Sequence, residues 1–77
     1  MSGTIDGIQT LKNFFDRVLR HYFMCETRRS RIRTAISIGQ ITTLDELKTA
    51  IWLQIDRDAR KQFVATYRCD TWQPPTT

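Results

Sequence analysis

Glycine and proline are nearly missing from the body of this 77-residue chain. Both prolines stand at positions 74 and 75, and no glycine lies between Ile8 and Ile38. These are the residues that break helices and open turns, so a span of roughly thirty residues is left free to be helical. Three glycines also cannot build a GxGxxG or P-loop phosphate cradle. Cysteine is sparse: Cys25 and Cys69 are far apart and form no CxxC pair. That excludes a disulfide framework and is read as two reduced thiols in a cytoplasmic protein. There is one histidine, His21, with no nucleophile–base signature around it, so catalysis is not expected. No apolar run approaches membrane-spanning length. The opening Met-Ser-Gly-Thr-Ile-Asp lacks a basic segment leading into an apolar one, so no membrane partner is expected.

Charge is present, and it is uneven. The chain carries nine arginines and three lysines against eight acids, a net +4. From Arg17 to Arg33 there are six arginines (17, 20, 28, 29, 31 and 33) and one acid, Glu26, so this stretch holds +5 and the remainder −1. A block of one sign is an electrostatic patch that attracts polyanions or acidic protein surfaces. Guanidinium groups grip phosphates and carboxylates bidentately. On a helix, however, Arg28, Arg29, Arg31 and Arg33 spread around the cylinder, as they would on a solvated surface.

The apolar residues show helical spacing. Ile8, Leu11, Phe15, Val18, Tyr22 and Cys25 recur at intervals of three and four, flanked by Phe14, Leu19 and Phe23. Their arc covers roughly half a helix circumference, more than one neighbour can cover. The spacing predicts a first helix from about Ile5 to Cys25, with Thr4 or Asp6 as its cap, and its wide face could serve a homodimer. The glycine-free span could be one helix or two, broken near Thr27–Ser30. Residues 31–38 fit either a helix face or strand alternation; without a second strand to pair with, they are assigned to helix, stopped by Gly39. Thr43 to Glu46 is a capping box, opening a helix with Leu44, Leu47, Ala50, Ile51 and Ile55 inward. A short last helix restarts at Asp56 or Asp58 and runs through Ala59, Phe63, Val64 and Tyr67. The expectation is therefore an all-α single domain, a small bundle of three to four helices with an extended C-terminal tail. Residues 1–4 and 70–77 are expected to be flexible.

Four residues fall off these apolar faces: Met24, Trp52, Leu53 and Trp72. Tryptophan and arginine are enriched at interface hot spots. The predicted partner-binding set is therefore Arg17, Arg20, Arg28, Arg29, Arg31 and Arg33 with Trp52, Leu53 and Trp72. A helix-turn-helix reading begins with Ala35 and Gly39 but fails at Asp45, which should be apolar, and at Asp45–Glu46, which place acids where phosphates would lie. His21 and Cys25, spaced i, i+4, could join Cys69 and Asp70 around zinc. Structural zinc sites show closely paired ligands instead, so neither metal nor cofactor is expected. The expected function is non-enzymatic binding that regulates or inhibits a larger assembly. An acidic protein surface is favoured over nucleic acid held by the Arg28–Arg33 run; a self-associating structural protein is the third reading.

Overall fold

A computed structural model describes the backbone of residues 3–75 and the side chains of 7–75. The ends of the expected flexible segments, residues 1–2 and 76–77, lie outside the described residues, as do the side chains of the expected caps Thr4 and Asp6. The chain forms four helices: α1 (Gly3–Leu19), α2 (Glu26–Ser37), α3 (Leu44–Gln54) and α4 (Arg57–Tyr67). Among the described residues the extended backbone makes one isolated antiparallel bridge, Cys69 with Trp72, and no strand.

The first helix is shorter than its periodicity implies. It stops at Leu19, and the chain runs through a turn and an extended stretch to Cys25. The break lies at 20–25, upstream of the expected 27–30. Tyr22 and Met24 are both buried, while Phe23 between them is 88% exposed. Two residues apart on a helix would point about 200° away from each other, so one of the pair would face solvent. Leaving the helix at a bend at Tyr22 lets both turn inward, where the Tyr22 ring meets the edge of Phe63 at 5.6 Å. Burial of two large side chains thus ends the helix where no glycine or proline does. Cys25, placed on the apolar stripe by its spacing, instead caps α2 and is exposed.

Residues 31–38 belong to α2, which buries only Ile32 and Ile36. Gly39 takes φ +85°, open to glycine at little cost. Around it the Gly39 amide donates to the Ile36 carbonyl at 3.3 Å and the Gln40 amide to Ala35 at 2.9 Å, the two bonds of a Schellman stop. The capping box forms as the sequence predicts. The Glu46 amide donates to Thr43 Oγ1 at 3.1 Å, and Glu46 Oε1 accepts from the Thr42 and Thr43 amides at 2.7 and 3.3 Å. Those contacts, led by the Thr42 amide and hydroxyl, hold the Glu46 carboxyl below its usual range.

The Cα envelope measures 39 × 30 × 19 Å, and its short axis is about two helix diameters. Every helix therefore keeps one face toward solvent. Leu11, Phe15, Val18, Leu47, Ile51 and Phe63 form the centre of the core, and among the described residues no polar side chain is buried. Leu44, expected inward, sits at the start of α3 and is 39% exposed. Met24, Trp52 and Trp72, expected outside the core, belong to it at 4%, 7% and 4% exposure. α3 is covered from two sides, so its Trp52 flank is as interior as its Leu47 flank. Trp72 folds back from the tail onto Phe63, with centroids 5.8 Å apart, and its indole N–H donates to Thr49 Oγ1 at 2.9 Å.

Candidate interaction surface

The arginine block divides into guanidiniums bound within the fold and guanidiniums left to solvent. Arg28 Nη1 donates to the Gln54 carbonyl at 2.9 Å, at the C-terminus of α3. Arg29 pairs with Glu26 at 2.8 Å. Arg33 pairs with Asp16 of α1 at 3.1 Å, and its guanidinium lies over the Phe15 ring at 5.6 Å. Both ion pairs are solvent-exposed, where such contacts contribute about 0–1 kcal/mol. Arg17, Arg20 and Arg31 are exposed and have no hydrogen-bond or ion-pair partner among the described residues.

The six arginines expected to bind a partner sit on two segments. Arg17 lies in the last turn of α1 and Arg20 in the turn just beyond it, while Arg28, Arg29, Arg31 and Arg33 spread around α2, as their spacing implies. Arg31 stands on the outward side of α2 beside Thr27, Ser30 and Thr34, lining a shallow open groove that ends at Gln40. Burial withdraws Trp52 and Trp72 from any partner-facing surface of this conformation, while Leu53 remains 53% exposed.

Sequence reasoning missed two residues. One is Arg60, whose Nε and Nη2 donate to the Trp52 and Leu53 carbonyls at 2.9 and 3.2 Å, with the guanidinium 4.4 Å from the Trp52 ring centroid. Phe23, read as a flank of the apolar stripe, is the most exposed of the large apolar side chains. The signal for it lies in Tyr22-Phe23-Met24: an apolar triplet at a helix end can bury its outer members only by extending and exposing the middle one.

The remaining reactive groups are dispersed. His21 lies in the turn after α1, exposed, and lines a shallow cavity with Tyr22, Gln62, Thr66 and Tyr67. Burial holds the Tyr67 phenol above its usual range; Tyr22 adds to this and Arg17 opposes it. Cys25 and Cys69 are free, exposed thiols. Cys69 lies 3.2 Å from Thr71 Oγ1 and 3.8 Å from Lys48 Nζ. The Thr71 hydroxyl and amide are the main causes lowering its thiol below the usual range, with the Trp72 amide and Lys48 assisting. Among the described residues no three His, Cys, Asp or Glu side chains gather as a metal site would need, and no helix is long and apolar enough to cross a membrane. No family model, curated protein or solved structure matches this chain.

Proposed function

We infer that this protein acts by stoichiometric binding, docking onto a larger macromolecular assembly and modulating it, without catalysis. One observation carries the reading. Six arginines face one acid between Arg17 and Arg33, and Arg17, Arg20 and Arg31 are exposed and without internal partners among the described residues. Free guanidiniums on a rigid helical frame are available to an anionic surface at low ordering cost. An acidic protein surface suits them better than a nucleic acid, because separate carboxylates can meet guanidiniums dispersed over two segments, whereas a phosphate backbone needs a continuous row of them. The phosphate-binding alternative is favoured by a single feature, the outward side of α2. There Arg31 stands with the hydroxyls of Thr27 and Thr34, able to donate to phosphate, although Glu26 lines the same groove and takes the Ser30 hydroxyl at 3.4 Å.

The test is capture from native lysate, with and without nuclease, comparing wild type with an Arg17→Glu/Arg20→Glu/Arg31→Glu variant. Capture by wild type that survives nuclease, and is lost in the variant, supports the acidic-surface reading. The association rate with the captured partner should fall as salt rises, since the patch acts over a Debye length of about 8 Å at physiological ionic strength. Loss on nuclease treatment selects the phosphate reading. Equal capture by variant and wild type makes the arginines a solvated face.

A further inference from the structure

Resting on that reading, we propose that the end of the bundle bearing Phe23 and Leu53 is the docking site, and that its partner is an acidic protein surface with an apolar cleft that receives Phe23. Phe23 lies in the connection between α1 and α2, and Leu53 in the last turn of α3. Three contacts tie the segments that carry them to one another or to α4. Arg28, five residues after Phe23, donates to the Gln54 carbonyl at 2.9 Å. Tyr22 packs on Phe63 of α4 at 5.6 Å. Arg60, nearly one turn before Phe63, donates to the Leu53 carbonyl at 3.2 Å.

Phe23 is 88% exposed and Leu53 53%. The chain holds Phe23 outward because Tyr22 and Met24 are turned inward, so the ring is presented by a buried anchor on each side. In the sequence flanking the two, residues 17–29 and 53–61 hold seven cations against three acids, an excess of four that equals the net charge of the whole chain. An exposed aromatic residue with arginines close to it in the sequence suits the aromatic and arginine enrichment of protein interfaces, and Leu53 adds exposed apolar area. Arg28 and Arg60 are already fixed by their carbonyl contacts, so less freedom is lost when they meet carboxylates.

Charge decides among the occupants. A second copy of the chain would set the same positive surface against itself. A single-stranded nucleic acid would stack on Phe23, but Leu53 offers no π face for a second base. A protein surface with carboxylates around an apolar cleft matches both the cations and the exposed apolar side chains.

The test is an amide NMR titration of the full chain with a random copolymer of glutamate and tyrosine, polyglutamate of equal length, and oligothymidylate. Shifts should concentrate at residues 20–25 and 52–57, and the copolymer should bind about tenfold tighter than polyglutamate, the scale of one partly buried aromatic side chain. Phe23→Ser and Leu53→Ser should each reduce that advantage while leaving the melting temperature and helical dichroism unchanged, since both side chains are largely outside the core. Equal affinity for the two acidic polymers, tighter binding of oligothymidylate, or shifts at these residues on concentrating the protein alone would each overturn the proposal. Acidic polymers that bind instead around Arg31 would overturn it and leave the acidic-surface reading standing. Failure of every acidic polymer to bind at low salt would remove both.

Discussion

Arg60 closes a helix whose own last turn contains no basic residue. The terminal carbonyls of a helix lack intrahelical donors and carry partial negative charge, so a guanidinium placed there supplies hydrogen bonds and favourable electrostatics together. Arg60 satisfies the Trp52 and Leu53 carbonyls and covers the Trp52 ring, while Arg28 takes the Gln54 carbonyl. Arg60→Ala should therefore destabilise the fold by about 2 kcal/mol, from charged hydrogen bonds and a cation–π contact. Arg60→Lys should recover only part of this, because an ammonium cannot bridge two carbonyls with a planar fork. Arg31→Glu should change stability by less than about 0.5 kcal/mol, the usual range for a free surface position. Urea unfolding midpoints compare all three. At Cys69 the hydrogen bonds from Thr71 favour the thiolate, and the thiolate is the form that alkylates. Thr71→Val should slow iodoacetamide labelling of Cys69 at neutral pH, as mass spectrometry of the labelled peptide would show; an unchanged rate would mean that the Thr71 hydroxyl does not govern the thiol.

At the level of elements, α3 is defined at both ends and α1 only by its neighbours. Thr43 and Glu46 satisfy each other's orphan amides at the start of α3, and Thr43→Ala should cost about 1 kcal/mol. Because the folded state depresses the Glu46 pKa, the charged carboxylate is the form that folding favours. Its contribution is complete above the usual glutamate pKa, near 4.3, and fades as pH falls through the lower folded value. Glu46→Gln should flatten the acid limb of the stability–pH curve in that window, with little change in its slope near neutrality. Thermal melts at a series of acid pH values give the comparison, and an unaltered acid limb would count against the capping-box carboxylate. For α1, much of the wide apolar arc meets internal neighbours. Leu11, Phe15 and Val18 are buried among the helices, and Phe14 lies edge-on to Tyr67 at 5.3 Å.

Across the whole molecule, the C-terminal segment helps to complete the core. Trp72 reaches back over α3 and α4, is almost fully buried, and has Lys48 Nζ 5.9 Å from its ring. A chain of this size buries a small core, so one large aromatic side chain is a sizeable share of it. Trp72→Ala should cost about 3 kcal/mol, near the lower end for a buried tryptophan. Trp72→Phe should cost less, about 1 kcal/mol if the ring packing survives and only the hydrogen bond to Thr49 is lost. Calorimetric melting of both variants separates packing from hydrogen bonding. A Trp72→Ala protein as stable as wild type would show that the segment does not support the core in solution.

The all-α class, the helical reading of residues 31–38, the capping box at Thr43 and the stop at Gly39 could all be read from the chain. Each rests on a local rule: a repeat of three and four residues, a side chain reaching an amide three positions away, or a backbone angle that glycine adopts cheaply. Tertiary packing decided where α1 ends, because burying both Tyr22 and Met24 outweighs further helix, and nothing in the neighbouring sequence forbids continuing. It also decided that Trp52 and Trp72 are interior, since a single-face pattern cannot show that α3 is covered from two sides. The fates of the arginines were settled in the same way. Arg28, Arg33 and Arg60 meet acceptors 26, 17 and 8 positions away, and composition gives a charge without saying which oxygen it will find. Phe23 is exposed for the complementary reason: alternate residues of an extended segment face opposite ways, so turning Tyr22 and Met24 inward leaves the ring between them in solvent.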